Sequence, residues 1–349
     1  MGGVDMWFKK ISQWWVLVLA FMLGGLLGMQ PIHAATSTPA SGFVLTPLLP
    51  KDQLDKQAGY FNLKVTPGST RELKVSVSNP SKSAITLEVT PVNATTSDAG
   101  SVAYVPSNRQ DPSATTTFKD MTSAGVTVQL AAHQAKTVGF TVTIPKNGFK
   151  GEVLGGLFVT NPTASATKPT NDQGFVLKNR YAEVTAVALW CQPQETIPVQ
   201  LVLDQVKVTT DNGQPVLFAK LRNLAPTLFG QLTIQARVID RATRKTVATQ
   251  RLKSGSMAPN SWFNYHVALG SDRLAAGNYQ LKLHLTSGTR VWNFSHNFTL
   301  TAQRASQHNH RLVGPHKVNW WLWGSLALVG LLALLMAAYW FGQRRSRKE

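Results

Sequence analysis

The chain has 349 residues, one cysteine and a formal net charge of +18 from 35 basic and 17 acidic side chains. At roughly 100–200 residues per domain, this length predicts two or three domains. A single cysteine excludes an internal disulfide framework and cysteine-rich zinc or iron–sulfur sites. The apolar fraction of 43% excludes a disordered chain.

The N-terminal segment places two lysines ahead of the uncharged stretch 14–29, with Ala34 and Ala35 beyond it. This order is typical of a secretory signal peptide. We predict the signal over residues 1–34, with cleavage after Ala34 or Ala35. The alternative is an uncleaved N-terminal membrane anchor, but the glycines within the apolar stretch favour cleavage.

The chain then alternates apolar and polar side chains in short runs, for example at Phe61, Leu63 and Val65. Such runs, bounded by glycine, proline and asparagine turns, predict the strands of a β-sandwich. The polar segment 160–174 is either an interdomain linker or a long loop. We favour the loop, because the apolar runs GLFVT and YAEVTAVALW on either side would pair as a closing hairpin.

This pairing predicts a domain boundary within residues 192–198, so the first domain spans 36–195 and the second spans 196–303. The second domain shows the same alternation, and its last strand places His296 on an apolar face. We therefore predict that His296 is a core residue. Cys191, beside a tryptophan, is predicted to be a buried small apolar residue.

The C-terminal part begins with a polar stalk predicted over residues 304–319. Residues 320–341 follow without a charge and with aromatic side chains at both ends, which predicts a transmembrane helix. The basic tail 342–349 predicts a cytoplasmic C-terminus, because segments rich in lysine and arginine next to a membrane span remain on the cytoplasmic side. The predicted class is all-β: two immunoglobulin-like antiparallel β-sandwich domains in tandem, then one transmembrane helix. The predicted location is the cell membrane, single-pass, with the ectodomain facing the cell wall.

The positive charge is uneven: residues 36–200 carry a net +3, whereas residues 201–319 carry a net +11. Clustered cations attract polyanions. Export disfavours nucleic acid, so anionic wall polymers such as teichoic acids, or membrane headgroups, are the expected partners. The alternative is a solvated face that keeps the protein soluble. The candidate polyanion-binding residues are Arg237, Arg241, Arg244, Lys245, Arg251 and Lys253.

Several phrases, in order, resemble one known family: FVLTPLLPKDQ, GYFNLKVTPGSTRELKVSVSN, NATTSDAGSVAY and TIPKNGFKGEVLGGLFV, then SMAPNSWFNYHVAL and AGNYQLKLHLTSGTRVWNFSHNFTLTA. They resemble the peptidoglycan-binding and host-binding domains of the WxL-interacting proteins of Gram-positive bacteria. The resemblance implies partners of three kinds: WxL-domain surface proteins, peptidoglycan and a host extracellular-matrix protein. In this family the second domain tends to open near residue 175, earlier than strand pairing predicts here.

Candidate contact residues lie in the long polar loop 91–122, because binding residues concentrate in loops held by a rigid scaffold. Tyr104, Asn108 and Arg109 offer the stacking and hydrogen bonds that suit a glycan. We recognise no sequence motif of a catalytic site, and we expect no cofactor, no metal site and no enzymatic activity.

The sequence thus predicts a non-enzymatic, membrane-anchored surface protein that binds peptidoglycan and WxL-domain proteins and scaffolds a surface complex with host-matrix adhesion. One alternative is a chaperone-like assembly factor that offers a sheet edge to secreted β proteins. Another is a wall hydrolase, which requires a cleft with two carboxylates roughly 5–10 Å apart.

Overall fold

The computed structural model describes residues 41–163, 181–211, 214–269 and 275–311, and scattered positions between 321 and 336. The predicted signal peptide and cytoplasmic tail lie outside the described residues, as does most of the predicted span. Within the described part of the chain, no helix is long and apolar enough to cross a membrane.

The first sandwich consists of two sheets that face each other across one core. The three-stranded sheet has the order β1 (Val44–Leu48), β3 (Thr70–Ser78), β8 (Ala135–Thr143). The five-stranded sheet has the order β2 (Phe61–Lys64), β10 (Ala182–Trp190), β9 (Glu152–Thr160), β4 (Ile85–Asn93), β7 (Val126–Leu130). The all-β prediction is therefore confirmed for this half.

Alternation along these strands fills the first core, because successive side chains point to opposite faces. Phe61 and Leu63 of β2 are buried and meet Val75 and Val77 of β3 in one apolar cluster. Cys191 is also buried there, as the sequence predicts. Its thiol is an apolar filler of the core.

The predicted pairing of GLFVT with YAEVTAVALW is confirmed: β9 and β10 are antiparallel neighbours from Thr160–Ala182 to Glu152–Trp190. The expectation of purely antiparallel sheets is wrong at one place, since β2 runs parallel to β10. No hairpin joins these two strands, so their connection does not force them to run in opposite directions. Because β10 belongs to this sheet, the first sandwich extends to Trp190.

The second sandwich also has two sheets around a core of its own. The three-stranded sheet has the order β11 (Leu201–Asp211), β12 (Gln214–Asn223), β15 (Ser261–Ala268). The four-stranded sheet has the order β14 (Thr246–Met257), β13 (Phe229–Asp240), β16 (Gly277–Ser287), β17 (Arg290–Leu300). The prediction that His296 is a core residue is wrong. It pairs with buried Leu281, but it is exposed because β17 is the edge strand.

Short elements stand where the sequence predicts only a loop and a stalk. The first loop contains the two-residue strands β5 (Thr95–Thr96) and β6 (Val102–Ala103) and the helical turn α1 (Phe118–Met121). The start of the predicted stalk is instead the helix α2 (Ala302–Arg311). Ala305 of this helix is buried, and its small side chain packs against the second core. The remainder of the predicted stalk lies outside the described residues.

Candidate functional site

Residues 94–117, which we call the junction strap, leave the end of β4 and cross to the second sandwich. The strap contacts the outer face and one edge of the β11-β12-β15 sheet. On this face, Arg222 and Trp262 alternate with side chains that are buried in the core. The loop that the sequence marked for ligand contacts is therefore largely engaged in joining the two sandwiches.

One contact of the strap is a bidentate ion pair. Arg222 donates from Nε and Nη2 to the two carboxylate oxygens of Asp111, with both distances 2.8 Å. The Asp111 side chain is fully buried and also accepts hydrogen bonds from Ser113. Burial alone would raise the pKa of Asp111, but the bonds from Arg222 and Ser113 lower it below its ordinary value. The carboxylate is thus held ionised inside the interface.

Arg109 sits at a second charged contact of the strap. Its guanidinium donates to both oxygens of Asp98, at 2.8 and 2.9 Å, and lies 4.7 Å from the centre of the Trp262 ring. Lys220 lies at the same distance from that ring. Asp98 also accepts a bond from the backbone N–H of Asn264. These contacts occupy Arg109 with the junction.

Backbone and hydroxyl groups complete the junction. The hydroxyl of Thr96 lies 2.6 Å from that of Ser261 and accepts the N–H of Ala258. The carbonyl of Gly100 accepts the N–H of Ser256, and the carbonyl of Pro226 accepts the N–H of Glu152. Because buried backbone polar groups need partners, these bonds fix the position of one sandwich against the other.

A small cavity of about 40 Å³ lies in the junction, and the residues that line it include Asp111 and Glu152. Burial raises the pKa of Glu152, and the bond it accepts from the backbone N–H of Leu228 only partly offsets this rise. The two carboxyls therefore differ in proton affinity, as acid and base partners do. However, a cavity of this size holds a few water molecules at most and no sugar ring. Both groups are engaged in interdomain bonds.

The outer face of the β2-β10-β9 region forms a second feature, which we call the outer-face platform: Tyr60, Asn62, Tyr104, Val184 and Trp190. Trp190 donates from Nε1 to the Asn62 side-chain oxygen at 3.1 Å. Tyr104 packs over Gly156. A Cβ added to Gly156 would lie 3.3 Å from the Tyr104 ring and 2.9 Å from the Val184 side chain. Tyr60 and Val184 are exposed.

The chemistry of the platform combines aromatic surface with free donors. Burial raises the pKa of Tyr104 to about 12, and the neighbouring Glu152 and Tyr60 contribute. Its hydroxyl therefore stays protonated as a donor at neutral pH. Within the described residues, the Nδ2 of Asn62 has no hydrogen-bond partner. Aromatic rings with a few placed amide and hydroxyl groups are typical of ligand sites.

The predicted basic residues divide into three places. Arg237 and Arg251 are exposed on the outer face of the β14-β13-β16-β17 sheet. Arg241, Arg244 and Lys245 lie in the β13–β14 hairpin, and Lys253 lies where the β14 register shifts.

Of the predicted glycan residues, the structure brings only Tyr104 to the outer-face platform, while Asn108 is exposed on the strap. Sequence analysis missed Tyr60, Asn62 and Trp190 as platform residues, and it missed Lys282 beside Arg237. Strand alternation could have identified Asn62, because successive side chains of a strand point to opposite faces and its neighbours Phe61 and Leu63 point inward.

Solved structures with some similarity include the ASH/PapD-like domain 7 of human CEP192, at 11% identity and a TM-score of 0.26 over 48% of this chain and 96% of that chain. The Pseudomonas aeruginosa CupB2 chaperone has 12% identity and a TM-score of 0.26 over 68% of this chain and 96% of that chain. The Acinetobacter baumannii CsuC–CsuE chaperone–tip subunit complex has 10% identity and a TM-score of 0.27 over 64% and 89%. Structural similarity at this level supports no inference about the function of this chain. No curated protein matches the chain.

Family models match most of the residues that the structure describes. Residues 43–161 match the peptidoglycan binding domain of WxL Interacting Protein, and residues 172–310 match its host binding domain. The second match begins ahead of β10, although β10 completes the sheet of the first sandwich. The two matches have the order that the sequence resemblance implies, and the chain belongs to the WxL-interacting protein family.

Proposed function

We propose that this protein is a non-enzymatic surface scaffold, anchored in the membrane by residues 320–341, which binds peptidoglycan through the outer-face platform of its first sandwich. In this proposal the ectodomain faces the cell wall and recruits WxL-domain proteins. The single observation that carries the glycan site is the platform itself, which lies within the peptidoglycan-binding match and its β10 partner strand.

The platform suits a neutral sugar chain better than an ion. Ala186 is adjacent in register to Gly156, which Tyr104 and Val184 cover, and its small side chain is only partly buried. Tyr60 and Tyr104 offer apolar ring surface to the C–H faces of sugar rings, while Asn62 and the Tyr104 hydroxyl offer hydrogen bonds. The platform therefore supplies both classes of contact that sugar recognition needs.

The junction strap gives the scaffold its geometry. Because the Asp111–Arg222 pair and the Glu152 contacts bind the sandwiches together, a partner held by the second sandwich keeps a fixed position relative to bound glycan. A fixed spacing raises the effective concentration of one partner near the other. This is the physical advantage of a rigid scaffold over two flexibly linked modules.

Co-sedimentation with purified peptidoglycan sacculi, stripped of anionic polymers, tests the proposal. The full-length chain is purified in an uncharged detergent and compared with the Tyr60→Ala/Asn62→Ala variant. We expect the variant to bind about tenfold more weakly, because it loses one aromatic contact and one donor. Its thermal midpoint reports whether the fold is intact.

The matched control is Tyr181→Ala, which removes an exposed tyrosine outside the platform. Its binding should stay within about twofold of the wild-type value. Equal losses in both variants, or no binding of the wild-type chain to sacculi, would reject the platform as the glycan site. A chain that captures a purified WxL-domain protein but never sacculi would support the chaperone-like alternative instead.

A further inference from the structure

The outer face of the β14-β13-β16-β17 sheet forms a regular array of cations and polar groups, which we call the basic face. In one row across the sheet, Thr249, Arg237, Lys282 and Ser295 are register partners. In the next row, the partners are Arg251, Gln235, His284 and Asn293. Neighbouring strands lie about 4.8 Å apart, so the cations are within reach of one bound chain.

The cations of the basic face lack carboxylate partners. Within the described residues, Arg237, Arg251 and Lys282 form no ion pair. The nearby Asp240 is engaged by the backbone N–H groups of Ala242 and Thr243, which lower its pKa. The three cations are therefore available to pair with an external anion.

The register places two like charges directly opposite each other. Arg237 pairs with Lys282 across β13 and β16, and both side chains are exposed. Like charges in this position destabilise a sheet. A position that breaks a local stability rule in this way marks a functional surface, since a bound anion would relieve the repulsion.

The groups between the cations define the ligand class. Gln235, Asn293, Thr249 and Ser295 present amide and hydroxyl groups, and His284 is held by a 2.8 Å bond to the Asn293 oxygen. The described outer-face residues of these four strands include no Phe, Tyr or Trp, which single-stranded nucleic acid sites use for base stacking. Alternating charges and hydroxyl partners instead suit a polymer with phosphates separated by hydroxyl-bearing units.

We propose that the basic face binds a phosphodiester-linked polymer of polyols or sugars, with Arg237, Lys282 and Arg251 contacting successive phosphates. Each contact is a charge-assisted hydrogen bond, and several together give an avid but salt-sensitive complex. The hairpin cations Arg241, Arg244 and Lys245 extend the positive field beyond one end of the face. This inference is independent of the peptidoglycan proposal, which concerns the other sandwich.

The test measures binding of purified poly(glycerol phosphate) to the full-length chain in an uncharged detergent at several salt concentrations. The Arg237→Gln/Lys282→Gln variant keeps a polar, flexible side chain at each position but removes two cationic phosphate contacts. We expect about tenfold weaker binding, and a slope of log affinity against log salt that is smaller by about 1 to 2. We also expect an equal or higher thermal midpoint, because the like-charge pair is removed.

The matched control is Lys56→Gln/Lys82→Gln, which removes the same net charge from exposed positions of the first sandwich. Its affinity should stay within about twofold and its salt slope unchanged. Equal effects in the two variants would reduce the interaction to non-specific attraction and overturn the proposal. Equally tight binding of duplex DNA at the same salt concentration, or no binding of the polymer, would also overturn it. Sacculus binding should not differ between the two variants.

Discussion

The junction strap and the basic face use charge in opposite ways. At the junction, the strap residue Asp111 is fully buried and pairs with Arg222 of β12, which is mostly buried and also contacts Asp204. On the basic face, Arg237 and Lys282 stand opposite each other in water without a described carboxylate partner. Arg222 on β12 and Arg237 on β13 both lie at outward positions that alternate with buried apolar side chains, so the difference comes from what covers each position.

This contrast separates two roles of charge in one protein. Removing one partner of a buried ion pair lowers the free energy of unfolding, because the remaining charge has neither water nor a counterion. An exposed, unpaired cation costs little to remove and keeps its binding capacity for an external anion. We therefore expect substitutions in the strap to change stability, and substitutions on the basic face to change binding.

The largest expected effect is that of Arg222→Leu. This change leaves the fully buried Asp111 carboxylate without its partner, so the free energy of unfolding should fall by about 3–5 kcal/mol in a urea titration. The double variant Arg222→Leu/Asp111→Leu should recover much of that loss, because it removes the stranded charge as well. A loss below about 1 kcal/mol for the single variant would show that the pair does not hold the junction.

Gly151→Ala tests the fit between the two sandwiches with a smaller effect. Gly151 has a φ of +65°, and an added Cβ would lie 2.1 Å from the carbonyl oxygen of Pro226 in the second sandwich. We expect a loss of about 3 kcal/mol, from backbone strain together with displacement of the partner domain. The urea midpoint is the readout.

The control for this prediction is Gly68→Ala. Gly68 has a φ of +74°, but the nearest atom to its added Cβ is 3.8 Å away, on Lys146. Gly68→Ala therefore measures only the cost of placing an alanine at a positive φ, about 1 kcal/mol. If both alanine variants lose the same stability, contact with Pro226 contributes nothing to the junction.

Glu152→Gln should have the smallest effect and the opposite sign. Burial raises the pKa of Glu152, so the folded protein favours the protonated form and pays for ionisation at neutral pH. The glutamine keeps an oxygen for the Leu228 N–H without the charge, and should raise stability at pH 7 by less than about 2 kcal/mol.

The pH dependence of this gain follows from the raised pKa. As the pH falls through the folded pKa, wild-type Glu152 takes up its proton and the advantage of glutamine disappears. Thermal midpoints of both proteins between pH 7.5 and pH 4 measure this convergence. A glutamine variant that is less stable at every pH would show that the carboxylate itself, rather than an acceptor oxygen, is required.

Sequence patterns predict the elements of this fold better than its contacts. The period of two identified the strands that bury Leu232, Ile234 and Val238, and the apolar runs on either side of residues 160–174 identified the β9–β10 pair. These features depend on local alternation, which each strand carries in its own residues.

The functional surfaces depend on distant partners, so sequence analysis recovered them only in part. Arg109 has the chemistry of a glycan ligand, but Trp262, more than 150 residues later, engages it in the junction. Lys282 lies outside the basic segment of the sequence and joins Arg237 only through the register of β13 and β16. Neither contact can be deduced from the spacing of residues along the sequence.

The most direct test measures unfolding free energy and poly(glycerol phosphate) affinity together in two variants. The account predicts that Arg222→Leu loses stability while its remaining folded fraction keeps the wild-type affinity. It predicts that Arg237→Gln/Lys282→Gln loses about tenfold in affinity without losing stability. If stability and affinity instead fall together in both variants, paired and unpaired charges do not have the separate roles assigned to them here.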